Sequence, residues 1–188
     1  MILKKIETSI ENLKNLYKAK ETHIAIENSI KKITDAIRTG NKLLVCGNGG
    51  SAADAQHITG EFLCRFYKDR IPLPAIALTT DTSILTSIGN DYSFDDIFKR
   101  QVEGLGKKND ILLGISTSGA SKNILKAFQA AKLKGIFTIL LTGSIKKEIA
   151  LISDLVITTP STDTPRIQEM HLLIEHIICE KVEEAFSR

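Results

Sequence analysis

Apolar residues recur at helical spacing twice within the first 38 positions. Ile6, Ile10, Leu13 and Tyr17 step by 4, 3 and 4 residues, and Ile26, Ile30, Ile33 and Ile37 repeat the pattern. Such spacing draws one apolar stripe down each of two amphipathic helices. A kink is expected near Lys20–Thr22, and Gly40-Asn41 stops the second helix. Each stripe needs a cover, either the body of the domain or the same helices of another copy of the chain. The length of the segment favours the second, so residues 1–38 read as an N-terminal helical oligomerisation arm.

From residue 42 the pattern changes to alternation of strand, loop and helix. Short apolar runs at Lys42–Cys46, Ala75–Leu78, Ile111–Gly114, Ile136–Leu141 and Leu155–Thr158 predict five strands. Helical patterns at Ala52–Phe66, Thr82–Ile88, Phe94–Leu105, Ser121–Lys134 and Arg166–Phe186 lie between or after them. The strands are apolar without alternation, as expected of strands buried on both faces of a parallel sheet. The expected architecture is a single three-layer α/β domain over residues 1–188, with a five-stranded parallel sheet. Ligands in such sheets bind where the loops gather at the carboxyl ends of the strands.

Composition narrows the function classes. With 25 Lys+Arg against 22 Asp+Glu the net charge is only +3, which speaks against a dedicated nucleic-acid binder. At 43% apolar and 25% charged, the mixture is that of a soluble globular chain. Cys46, Cys64 and Cys179 are odd in number and lack CxxC spacing, so they read as reduced thiols in a cytoplasmic protein. No secretory stretch opens the chain, and the longest apolar runs, such as 136–141, are too short to span a bilayer.

The loop after the first strand, Gly47-Asn48-Gly49-Gly50-Ser51-Ala52, formally fits the dinucleotide pattern G-x-G-x-x-A. The acidic residue that this pattern requires at the end of the second strand is missing, which disfavours a nucleotide cofactor. A plain tight turn remains open, as does a loop whose backbone N–H groups meet an oxygen-rich ligand. The loop after the third strand, Ser116-Thr117-Ser118-Gly119-Ala120-Ser121, places four hydroxyls at a helix start. A single serine suffices for an N-cap. Four hydroxyls beside the free N–H groups of a helix N-terminus favour a phosphate monoester. His57 and Glu61, at i and i+4, share one helix face, where they can ligate a divalent metal, transfer protons or merely be solvated. The last helix is apolar nearly all round yet carries Gln168, Glu169, His171, Glu175 and His176. Buried groups of this kind need partners, and partners there imply a site.

Four segments in register carry a resemblance: Cys46–His57, Gly89-Asn90-Asp91, Gly114–Gly119 and Arg166–His171. Together they resemble the bacterial phosphoheptose isomerases, a branch of the sugar-isomerase (SIS) domain proteins. The resemblance implies a flavodoxin-like fold and a homotetramer. It also implies conversion of sedoheptulose 7-phosphate to D-glycero-D-manno-heptose 7-phosphate, a precursor of lipopolysaccharide and other surface glycans. Substrate contacts would come from Asn48, Gly49, Gly50, Ser51, Asn90, Asp91, Ser116, Thr117, Ser118 and Ser121. Glu61, Gln168 and His176 match the family's positions at the reacting carbons, and His57, Glu61, Gln168 and His176 match its zinc ligands. One departure is Thr142–Lys147, which lacks the longer glycine-rich stretch of the family.

Moving a carbonyl between neighbouring carbons needs a base at carbon and a second group for the oxygen proton. Glu61 suits the first role and His176 the second, through an enediol(ate). Gln168 and His176 lie eight residues apart, about 12 Å of helix rise and roughly 80° of rotation. They meet at one ion only by leaning together or by coming from two chains, so a pocket completed by a neighbouring subunit is expected. Competing readings are a non-catalytic SIS-domain regulator, an isomerase or lyase for another sugar phosphate, and a cofactor-binding Rossmann module.

Overall fold

The computed structural model describes residues 1–187; Arg188, the last residue of the expected domain, lies outside the described residues. Helices α1 (Ile2–Lys18) and α2 (Lys20–Arg38) break at Ala19, whose φ of −80° and ψ of 76° leave the helical region. Their stripes part ways. Ile26, Ile33 and Ile37 of α2 are buried in the domain, whereas Ile6, Ile10, Leu13 and Tyr17 of α1 are exposed.

Five strands follow: β1 (Leu43–Gly47), β2 (Ala75–Ala77), β3 (Ile111–Ser116), β4 (Phe137–Thr142) and β5 (Leu155–Thr158). All pair in parallel in the order β2-β1-β3-β4-β5. This is the doubly wound order whose direction reverses between β1 and β3, so the loops after those two strands frame the crevice. Successive side chains face opposite layers. Leu43, Val45, Leu113, Ile115, Ile139 and Leu141 pack under α2, α3 (Gly50–Leu63) and α8 (Thr164–Glu184). Leu44, Cys46, Leu112 and Leu140 pack under α4 (Thr82–Asp91), α5 (Ile97–Leu105), α6 (Lys122–Leu133) and α7 (Glu148–Ile152). A 3₁₀ turn at Phe94–Asp96 leads into α5.

The expected elements are present, with shifted edges. Helix α3 begins at Gly50, inside what the glycines marked as loop. Helix α7 was not expected; its five residues are too few for a helical period to show. No helix among the described residues is long and apolar enough to cross a membrane.

Candidate active site

The loops after β1 and β3 are wired to each other. Asn48 Nδ2 donates to Asn123 Oδ1 at 2.9 Å, and Asn123 Nδ2 returns a bond to Asn48 Oδ1 at 2.8 Å. Gly49 takes a φ of +57° as α3 starts, a conformation open to glycine without strain. The start of α3 has no side-chain cap. Ser121 precedes α6 but makes no capping bond either. Its hydroxyl pairs with that of Ser116 at 3.2 Å, and Gly119 N–H donates to Ser116 Oγ at 3.2 Å. The hydroxyls therefore organise the loop, and at the start of α6 it is Asn123 Oδ1, not Ser121, that accepts a first-turn N–H, from Ile124 at 2.9 Å.

Beside this loop lies a pocket of about 170 Å³, lined by Thr117, Ser118, Ser144, Lys147, Ser161, Thr162 and Thr164 among others. Ser144 and Lys147 belong to the segment between β4 and α7, where Ser144 N–H bonds to Ser161 O at 3.0 Å. The sequence marked this segment only as a departure from the family's glycine-rich stretch, not as part of a site. A signal existed in the hydroxyl run Thr158-Thr159-Pro160-Ser161-Thr162, of the same kind as 116–121. Asn123 gave no signal, since it sits in the first turn of an expected helix, where a polar residue is ordinary.

Helices α3 and α8 lie side by side and run in the same sense. At their starts Gly50 faces Gln168, where a Cβ would run into the Gln168 amide. Seven and eight residues later the rings of His57 and His176 stand 5.1 Å apart, edge to face. His57 Nε2 is 3.2 Å from Glu61 Oε1, with side chains 43% and 26% exposed, so both are reachable from outside. Gln168 accordingly joins the strand-end loops, and His57, Glu61 and His176 form a second group farther along the seam. Asn90 and Asp91 join neither group: they bond each other at 2.9 Å on the exposed end of α4.

Between the two groups the seam is polar and buried. Both nitrogens of His171, both carboxylate oxygens of Glu175, Asp54 Oδ2 and Thr142 Oγ1 are buried without a hydrogen-bonding partner of good geometry. Burial drives the His171 pKa down to about 4, opposed by the Thr142 backbone, so its imidazole is neutral. Burial, and then the charge of Asp54, push Glu175 up to about 8. Asp54 is itself raised by burial, with His57 pulling the other way.

A model of the SIS domain matches residues 6–143. A phosphoheptose isomerase of Aneurinibacillus thermoaerophilus is 51% identical, over 97% of this chain and 92% of its own length. The chain belongs to the phosphoheptose isomerase family of SIS domain proteins. Another such isomerase, from Clostridium acetobutylicum, is 50% identical over 95% of this chain and 91% of its own. The fold superposes on a phosphoheptose isomerase from Francisella tularensis with a TM-score of 0.94 and 39% identity, covering 97% of this chain and 96% of that one. The corresponding enzyme of Neisseria gonorrhoeae gives 0.90 and 38%, with 97% of each chain covered.

The family membership frames a test of the zinc expectation. His57, Glu61 and His176 offer two imidazoles and a carboxylate in one patch, a donor set that suits zinc in kind. No three His, Cys, Asp or Glu side chains among the described residues are arranged to close on one ion. Gln168 stands at the other end of the seam. A single chain therefore supplies donors of the right chemistry without gathering all four.

Proposed function

We propose that the protein isomerises sedoheptulose 7-phosphate to D-glycero-D-manno-heptose 7-phosphate. The observation that carries this reading is the pairing, within one family member, of a hydroxyl-lined pocket bearing Lys147 with a carboxylate–imidazole group on the helix seam. The phosphate is held by the hydroxyls and N–H groups of 47–51 and 116–121, with Lys147 at the rim. Glu61 takes a proton from C1 of the ketose, and the electrons of that C–H bond form the C1–C2 double bond of an enediol(ate). His176 carries the hydroxyl proton from O1 to O2, and Glu61 returns its proton to C2, leaving the carbonyl at C1.

His57, Glu61, Gln168 and His176 would hold a zinc ion only in a site shared between subunits, because no three carboxylate, thiol or imidazole donors among the described residues close on one ion within the chain. Bound there, the ion would polarise the substrate carbonyl. The exposed α1 stripe and the separation of Gln168 from His176 support a homotetramer in which a second copy completes the pocket and reaches Asn90 and Asp91. A cytoplasmic location suits a sugar-phosphate substrate and three free thiols.

The test is incubation of the purified protein with sedoheptulose 7-phosphate, with and without zinc, following the aldose C1–H signal by NMR. Appearance of the aldose is expected. No turnover under either condition overturns the reading in favour of a non-catalytic SIS-domain protein.

A further inference from the structure

The segment that follows α3 is tied down by one buried ion pair. The side chains of Arg70 and Glu183 are each only 2% exposed, with Arg70 Nε 3.4 Å from Glu183 Oε1. Glu183 lies near the end of α8 and accepts three backbone N–H groups from the segment. Phe66 donates at 2.7 Å to Oε1, while Tyr67 at 2.6 Å and Lys68 at 2.9 Å donate to Oε2. Burial works against the Glu183 carboxylate, yet these donors and Arg70 hold its pKa below the usual range, so it is charged. Arg70 uses its other nitrogens on the end of α3 and on its own segment. Nη2 donates to Glu61 O at 2.8 Å, and Nη1 to Phe62 O at 2.8 Å, Cys64 O at 3.2 Å and Ile71 O at 3.0 Å. The last carbonyls of a helix have no partners within it. Here a guanidinium supplies them, a task that a lysine's single ammonium cannot copy.

Each end of the pair thus bears on one member of the proton-transfer group. Arg70 grips the backbone of Glu61 itself. Glu183 fixes the backbone of Phe66, whose ring centroid lies 5.5 Å from that of His176 at 45°. Phe66 is braced from behind by Tyr67, at 4.4 Å. From this geometry we propose that Arg70 and Glu183 are positioning residues that set Glu61 and His176 at their working separation, with Phe66 as the piece that aims the imidazole. The proposal rests on the isomerase reading for its kinetic consequence but not for its structural one. Neither residue touches the hydroxyl-lined pocket, so substrate affinity is left to the loops.

The experiment uses full-length Glu183→Gln, Arg70→Lys and Phe66→Leu. Glu183→Gln removes the charge, Arg70→Lys keeps the charge but loses the fork, and Phe66→Leu keeps every backbone bond and deletes only the ring. Glu183→Gln is expected to lower kcat by about ten- to a hundredfold, the scale of a small misplacement of a reacting group, with KM unchanged within experimental error. Arg70→Lys should retain more kcat than Arg70→Ala, made alongside it to remove the charge and the fork together. In protein labelled with ¹³C-histidine, the His176 ring signal should move in Glu183→Gln and in Phe66→Leu, while those of His23 and His171 stay. The proposal is overturned if kcat falls only with the folded fraction and the His176 signal stays at its wild-type position. Phe66→Leu keeps this decision open should Glu183→Gln fail to fold. If the wild-type protein does not turn over the sugar phosphate, the isomerase reading fails, and the His176 signal still decides whether this pair aims the ring.

Discussion

In the loops after β1 and β3 polar atoms answer one another, as in the reciprocal amides of Asn48 and Asn123 and the hydroxyl pair of Ser116 and Ser121. In the seam between α3 and α8 they do not: His171 and Glu175 are buried with no partner of good geometry. A prewired loop presents donors to an anion without having to reorganise, which favours binding. The seam instead buries ionisable groups whose protonation burial shifts, His171 down and Glu175 up, beside the residues assigned to chemistry. The difference assigns affinity to the loops and rate to the seam.

The sharpest way to break that division is to remove the base. Glu61→Gln keeps the size and a hydrogen-bonding end but cannot take a proton from carbon. General acid–base groups contribute roughly 10²- to 10⁴-fold. Turnover of the sugar phosphate is therefore expected to fall by that range, with substrate binding, measured calorimetrically, within about threefold of wild type. A variant that binds weakly but turns over normally when saturated would place Glu61 in the binding machinery instead.

The next effect is on stability. His171 is fully buried and its pKa is depressed from 6.5 to about 4. The unfolded chain then binds a proton that the folded chain refuses. The contribution of this group is complete above pH 6.5 and is lost as pH falls through about 4. The shift corresponds to a loss on the order of 3 kcal/mol. His171→Phe should flatten this part of the pH dependence, read as melting temperature from pH 7 down to pH 4 against the wild type. An unchanged slope would show that His171 is not held neutral by its surroundings.

Strand positions were legible because each strand of a buried parallel sheet is a short apolar run, and Leu155–Thr158 matches its expected bounds. The glycine and serine loops were legible because turn chemistry and anion binding use distinctive residues. The split between the α1 and α2 stripes was not, because equal periodicity cannot say what covers it. Asp54, Arg70 and Glu183 also passed unread. An acidic or basic residue in a helix or loop is ordinarily solvated, and only the packing of α3 against α8 buries these groups. The separation of Gln168 from His176 followed from helix geometry alone, whereas its partner Gly50 required the structure.

The smallest expected effect probes the loops. A serine in front of a helix ordinarily caps it, and replacing such a cap by alanine costs typically about 1 kcal/mol. Ser121 does not cap α6, because its hydroxyl is directed to Ser116. Ser121→Ala should therefore lower stability by about 0.5–1.5 kcal/mol, the net worth of the lost Ser116–Ser121 hydrogen bond and not of a cap. Loss of a hydrogen bond to a charged group costs about 1.5–3 kcal/mol. If the hydroxyl meets the phosphate, KM should accordingly rise by roughly tenfold or more while kcat holds. Denaturant melts and steady-state kinetics on one preparation separate the two roles. A loss of stability with KM unchanged would return Ser121 to a purely structural part and shift the anion's hydroxyl partners toward Thr117, Ser118 and the 161–164 turn.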